Sequence, residues 1–278
     1  MTDLQGRNAV VTGAGSGLGA ALARVLADAG ANVALLDIDA DAATANAATI
    51  AEEVGVTTTS VRCDVGDTAS VVTAAEHVRV TFGGCDILCS NVGVQQFGAI
   101  DKLTEQDWQW ILNVNVLGTV RTVREFLPML RAGNGFRHIV FTASSSVLAP
   151  SVRLGAYQTS KFAVLGFAES LREELTAEDI GVTVLFPGGM MTRHLESSVE
   201  ARPADLGESR LDMGDVEAMV AHQPMGDDDL ATPEHAIRNL LADLEAGEPY
   251  VLTHGSYRPI YQQRRDAIDA AFDRMEAS

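Results

Sequence analysis

Short aliphatic and β-branched runs alternate with stretches long enough for three or more helical turns, and this rhythm constrains the fold more than any other feature. Asn8–Thr12, Asn32–Asp37, Thr58–Arg62, Asp86–Ser90, Arg137–Thr142 and Val182–Phe186 read as strands. Residues 18–29, 40–53, 70–82, 105–130 and 156–177 read as the helices between or after them, with Gly30 and Gly83-Gly84 as stop signals. A helix over 233–245, a short strand over 250–253 and a helix over 259–275 complete the pattern. Parallel strands need long crossovers, which helices supply. The expected fold class is therefore α/β: a doubly wound parallel sheet in three layers. At 278 residues and 46% hydrophobic content, the chain can bury one substantial core, so a single domain over 1–278 is expected. Residues 188–231 break the rhythm, and a loop that long inside a compact unit is expected to serve function, here as a substrate lid.

A net charge of −18 disfavours nucleic acid and anionic membrane surfaces as partners. Cys63, Cys85 and Cys89 show no metal-type spacing with histidine, and Cys85 and Cys89 flank an apolar run, so reduced buried thiols and no metal site are expected. The N-terminal residues carry no basic, then apolar, leader pattern, and no apolar run approaches 18 residues. A cytoplasmic protein is the expectation.

Ligands of such sheets bind at the carboxyl ends of the strands, an edge that gathers Gly13, Asp37, Asp64, Asn91, Ser144 and Pro187. Between the first strand and first helix stands Thr12-Gly13-Ala14-Gly15-Ser16-Gly17-Leu18-Gly19. Glycines allow the backbone to approach a diphosphate, and the helix N-terminus offers free N–H groups and positive potential. The order is Rossmann-like, although the spacing is T-G-x-x-x-G-x-G rather than G-x-G-x-x-G. Asp37 ends the second strand, where a carboxylate can accept both ribose hydroxyls of an adenosine and would repel a 2′-phosphate. No cation stands at 14–18 or 38–39 to offset that repulsion, which favours NAD over NADP.

Of only two lysines, one follows a tyrosine by four residues, in Tyr157-Gln158-Thr159-Ser160-Lys161. On a helix these positions share a face. A cation held near a phenol favours the phenolate and lowers its pKa from about 10. Such a tyrosine can take a proton from an alcohol or give one to a carbonyl. The competing reading is a buried tyrosine followed by a surface lysine.

In these motifs the chain resembles the short-chain dehydrogenase/reductase family, in collinear order over about residues 6–192. The resemblance rests on the glycine turn, Asp64-Val65, Asn91-Val92-Gly93, Asn115, Ser144, Tyr157-x-x-x-Lys161 and Pro187-Gly188-x-x-x-Thr192. It implies Tyr157 as general acid/base, Lys161 as the residue that lowers its pKa and binds the nicotinamide ribose, and Ser144 as a hydrogen-bond partner of the reacting oxygen. It implies Asn115 as holder of a proton-relay water, Asp64 and Val65 as adenine contacts, and Pro187, Gly188, Met190 and Thr192 around the carboxamide. It also implies that Asn91 and Gly93 lie against the cofactor, beside Ser16 and Leu18 of the turn. Ser145 and Ser146 follow Ser144, and Asn113 precedes Asn115, but Asn115 fits the family's Asn-Val-x-Gly pattern. Val92 stands where the family usually has alanine. The implied activity is NAD-dependent hydride transfer between an alcohol and a ketone. An NADP-dependent reductase and a non-catalytic dinucleotide-binding regulator are the alternatives.

For the substrate, Met190, Met191, Met213, Met219 and Met225, with Leu195, Leu206, Leu211, Val216 and Val220, suggest an adaptable apolar lid. Val94, Phe97, Val147, Leu148 and Leu154 are expected on the other wall. A bulky hydrophobic or aromatic secondary alcohol follows, unless these residues only pack the lid or a neighbouring subunit. The long helices near 105–130 and 156–177 match those that pair family members into dimers or tetramers, and an intrachain core is the competing explanation for their apolar residues.

Overall fold

In the computed structural model, which describes residues 4–207, 212–222 and 230–277, strands and helices alternate as the pattern predicts. Strands β1 (Asn8–Thr12), β2 (Asn32–Asp37), β3 (Thr58–Arg62), β4 (Ile87–Ser90), β5 (His138–Thr142) and β6 (Gly181–Phe186) follow one another along the chain. Two short strands, β7 (Gly189–Met190) and β8 (Leu230–Ala231), pair with each other, and β9 (Tyr250–Leu252) closes the main sheet. That sheet has seven parallel strands in the order β3-β2-β1-β4-β5-β6-β9. The order reverses between β1 and β4, which creates the switch point at which doubly wound folds bind ligands.

Side chains alternate across the sheet and feed one apolar core on each face. Ala9, Val11, Val33, Leu35, Ile87 and Cys89 pack with α1 (Gly17–Asp28) and α2 (Ala40–Val54). Val10, Leu36, Leu88, Ile139 and Phe141 pack on the other face with α3 (Thr68–Phe82) and the helices that follow β4 and β5. All three cysteines are buried free thiols, and burial pushes Cys63 and Cys89 up to about 12.

Two expected helices are divided. The helix expected over 105–130 consists of α4 (Glu105–Leu112) and α5 (Gly118–Ala132), separated by a wide turn at Asn113–Leu117 in which the Gly118 N–H reaches back to the Asn113 carbonyl. Tertiary contacts hold this widened turn. Asn113 Nδ2 donates to Gly66 O at 3.1 Å, and Arg121 Nη2 donates to Asn113 Oδ1 at 2.8 Å. The next helix, α6 (Gly155–Leu175), is continuous. Within 188–231, α7 (His194–Glu200) and α8 (Met213–His222) stand between β7 and β8. The helix expected over 233–245 breaks into α9 (Pro233–Ala236) and α10 (Leu240–Glu245), and α11 (Arg258–Glu276) ends the chain. Ile111, Val123, Phe126, Leu171 and Leu175 are buried within the chain itself.

Candidate active site

The turn after β1 is built for close approach. Its backbone is tied to β2 by the Gly13 N–H, which donates to Leu36 O at 2.7 Å. A Cβ at Gly19 would lie 1.9 Å from the Gly13 carbonyl oxygen, so only glycine fits there. No side chain caps the N-terminus of α1 and no acid lies in its first turn, whereas Asp39 caps α2 and Asp67 caps α3. The free N–H groups and positive end of α1 suit an anion. Asp37 stands at the end of β2, its Oδ2 accepting from Gly15 N at 2.7 Å and its Oδ1 from Asp39 N at 2.9 Å. Both bonds fix the carboxylate beside the turn.

Asn91 braces the switch point. Its Nδ2 donates to Thr12 O at 3.2 Å and its Oδ1 accepts from Thr142 Oγ1 at 2.9 Å, which ties β4 to β1 and β5. Val92 follows, and both the Asn91 and Val92 N–H groups reach Thr12 Oγ1, at 3.0 and 3.4 Å.

One cavity of about 850 Å³ runs along this edge. Every residue singled out for the cofactor lines it, among them Asp37, Asp64, Val65, Pro187, Gly188, Met190 and Thr192. Thr192 crosses back over the glycine turn, with Cγ2 3.3 Å from where a Cβ on Gly17 would stand. Such a cradle fits a dinucleotide: a glycine turn, an uncapped helix N-terminus and a carboxylate at the second strand's end occur in one groove.

Ser144, Tyr157 and Lys161 meet in the wall of this cavity. Tyr157 is 8% exposed and Lys161 2%. Lys161 Nζ lies 5.7 Å from the centre of the Tyr157 ring and donates to Thr142 O at 2.9 Å. Gly93 makes room for it, because a Cβ there would stand 2.9 Å from Nζ. The electrostatics differ from the sequence expectation. Burial pushes the Tyr157 phenol up from its ordinary value, against which the hydrogen bond with Ser144 works. Burial also lowers Lys161 to about 8. The lysine is close enough to orient the ring's surroundings, but desolvation dominates the tyrosine, and the ammonium is aimed at the Thr142 carbonyl. Ser144 is the serine bonded to Tyr157. Ser145 N instead donates to Pro187 O at 2.8 Å.

Asn115 lies behind this group rather than in the cavity wall. It is fully buried, its Oδ1 accepts from Val94 N at 2.8 Å, and its Nδ2 donates to Val94 O at 2.9 Å and Ser160 Oγ at 2.8 Å. It therefore fixes the strand-end loop and α6 against each other at the widened turn, a feature often found next to functional sites.

Val94, Phe97, Leu154, Met190, Leu195, Met219 and Val220 also line the cavity, as expected. Val216 packs against Phe97, Leu154 and Tyr157, and Leu206 against the Trp110 cluster. Four expectations are corrected. Met191 and Met213 are each 60% exposed and face outward, Val147 belongs to the core beneath the sheet, and Leu148 packs onto that core. Leu211 and Met225 lie outside the described residues. Trp110, Ser151, Tyr257 and His194 line the cavity although the sequence did not single them out. The His194 ring centre is 6.2 Å from that of Tyr157, and burial holds its pKa down at about 4. His194 is two residues beyond Thr192, and that proximity was the available signal.

Sheet order and switch-point cleft define a Rossmann-like α/β protein with a buried tyrosine–lysine–serine group at the strand ends. A family model described as short chain dehydrogenase matches residues 7–203, and the chain belongs to that family of oxidoreductases. A C alpha-dehydrogenase of Sphingobium sp. strain SYK-6 is 34% identical over 210 residues, covering 75% of this chain and 68% of the relative. A short-chain dehydrogenase/reductase of Burkholderia phymatum solved in complex with NAD superposes with a TM-score of 0.88 at 28% identity, covering 98% of this chain and 97% of that one. A short-chain dehydrogenase of Burkholderia cenocepacia J2315 solved in complex with NADP gives a TM-score of 0.74 at 29% identity over 90% of this chain and 96% of that one. Among the described residues no helix is long and apolar enough to cross a membrane, and no cluster of potential metal ligands occurs.

Proposed function

We propose that this protein transfers a hydride between NAD(H) and a bulky, apolar or aromatic secondary alcohol or its ketone. The observation that carries the reading is the meeting of Tyr157, Lys161 and Ser144 in the cavity that begins at the glycine turn and Asp37. A nicotinamide dinucleotide supplies the two-electron chemistry when bound. The turn from Gly13 to Gly19, with Ser16, Gly17 and Leu18, would hold its diphosphate. Asp37 would accept the adenosine ribose hydroxyls, Asp64 and Val65 would flank the adenine, and Gly93 and Lys161 would border the nicotinamide ribose. Pro187, Gly188, Met190 and Thr192 would orient the carboxamide.

In the oxidation direction Tyr157 takes the hydroxyl proton while the carbinol carbon loses its hydride. In reduction it returns the proton to the carbonyl oxygen. Ser144 hydrogen-bonds that oxygen, and Lys161 keeps a positive charge beside the developing alkoxide. Because burial raises the phenol, oxidation should quicken toward alkaline pH and reduction toward lower pH. Residues 188–231 act as the lid within one catalytic domain, and the faces of α4, α5 and α6 pair copies into a dimer or tetramer.

NADH and NADPH turnover, compared on a panel running from sugars and small polyols to aryl and steroid-sized ketones, tests the reading. Faster NADH oxidation with the bulky ketones is expected. Turnover confined to sugars would reject the apolar substrate class, and a preference for NADPH would reject the Asp37 argument. Asp37→Ala should raise the relative use of NADPH, because it removes the charge that opposes a 2′-phosphate.

A further inference from the structure

Arg202 lies in the connection from α7 to α8, yet its side chain is only 7% exposed. All three of its nitrogens donate to groups within the protein. Nε donates to Gly207 O at 3.0 Å, and Nη1 donates to Gln96 Oε1. Nη2 donates to Asp107 Oδ1 at 2.6 Å and Leu206 O at 3.0 Å. The guanidinium carbon stands 5.4 Å from the centre of the Trp110 ring. Asp107 also closes the first turn of α4 as part of a capping box with Thr104. Burial opposes its charge, but hydrogen bonds from Thr104 and Arg202 outweigh burial and hold its carboxyl below the usual range.

This hub joins three separate pieces of chain: the loop after β4, the start of α4 and the far side of α7. Each piece contributes cavity wall beside the hub, through Gln95 and Phe97, Trp110, and Ala201 and Pro203 respectively. A second tie runs parallel to it. Gln95 N donates to Ser198 Oγ at 3.1 Å, and Ser198 Oγ donates to His194 O at 2.6 Å. A buried ion pair is weak evidence for stability, but a planar fork with fixed partners specifies one arrangement. The other half of the lid is held differently. Helix α8 has no buried residue, and its ion pair, Arg153 Nε with Asp215 Oδ1 at 3.0 Å, is more exposed, at 37% and 20%.

We propose that Arg202 is a positioning residue that fixes the outer wall of the substrate end and so sets which substrates fit. It touches neither Tyr157 nor the glycine turn. It acts through Gln96, Asp107 and the α7 segment, leaving α8 as the more weakly held side of the cavity. The proposal rests on the hydride-transfer reading of this cleft.

The test uses the full-length wild type, Arg202→Met and Arg202→Lys. NADH affinity is measured by fluorescence, and KM and kcat are measured on one bulky and one small ketone. Arg202→Met should bind NADH as the wild type does. Its KM for the bulky ketone should rise about tenfold or more and exceed the change in kcat, the pattern of lost binding common to ground and transition states. The bulky-to-small preference should fall, and Arg202→Lys should recover part of it, since it keeps the charge on Asp107. An unchanged preference, or a parallel loss of NADH binding, overturns the assignment. Hydrogen exchange on the wild type tests it without any variant: amides of 195–206 should be better protected than those of 213–222. Equal exchange in the two segments would overturn it. A wild type that turns over no ketone of the panel with either NADH or NADPH would sink the hydride-transfer reading instead, while the exchange result would still report on Arg202.

Discussion

Replacing Lys161 with methionine separates what the buried ammonium costs the fold from what it does for activity. Lys161 is 2% exposed, and burial lowers its pKa from 10.5 to about 8. Between these values the unfolded chain binds more protons than the folded one, so stability rises with pH through that window. The penalty is fully present below pH 8 and is relieved toward 10.5. It amounts to about 3 kcal/mol, from about 1.4 kcal/mol for each pH unit between the two values. Methionine removes that penalty but also the hydrogen bond to Thr142 O, worth about 1.5–3 kcal/mol for a charged donor. At neutral pH the variant should therefore equal the wild type in stability or exceed it by up to about 2 kcal/mol. The pH dependence is sharper: the wild type should gain about 2 kcal/mol relative to the variant between about pH 7 and about pH 9.5. Urea unfolding at both values measures it, and NADH oxidation is followed on the same preparations. Activity should fall about 10²-fold or more, because the proposed mechanism uses that charge to stabilise the developing alkoxide. Parallel pH slopes for the two proteins would refute the burial argument, and a variant with wild-type turnover would refute the catalytic one.

Gly19→Ala should destabilise the chain by about 1–3 kcal/mol and weaken NADH binding, because the new methyl collides with the Gly13 carbonyl, and a wild-type melting temperature with normal binding would contradict the packing at the turn. His138, buried and bonded to Thr183, has its pKa lowered to about 4 by burial. The unfolded chain binds the extra proton between 6.5 and about 4, so stability should fall with pH in that window, by about 2 kcal/mol from about pH 7 to about pH 5. His138→Gln should lose that part of the slope in urea titrations, and an unchanged slope would show that the histidine is protonated in the fold.

The strands were legible because each is a short apolar run between turn residues, and β3 occupies the expected Thr58–Arg62. The division between α4 and α5 was not, because Asn113-Val114-Asn115-Val116-Leu117 is compatible with ordinary helix and the wide turn is imposed by Gly66, Arg121 and Ser160. Tyr157, Lys161 and the glycine turn were readable because their meaning lies in local spacing. The rise in the Tyr157 pKa was hidden, since it comes from burial by residues distant in the chain. Arg202 was invisible for the same reason: its partners Gln96 and Asp107 are 106 and 95 residues away, and nothing near it in the sequence marks a buried cation. Asn115 was found by its motif, but its place behind Gly93 depends on how α6 and the loop after β4 close around it.

In the proposed mechanism the Tyr157 hydroxyl carries the proton of the reaction. Tyr157→Phe removes one oxygen and keeps the ring that packs against Phe97 and Leu154. Single-turnover ketone reduction with pre-bound NADH, alongside NADH binding by fluorescence, isolates that step. Binding should be unchanged and the hydride-transfer rate lower by about 10²- to 10⁴-fold. A phenylalanine variant that binds NADH and reduces the ketone at the wild-type rate would contradict the proposed mechanism.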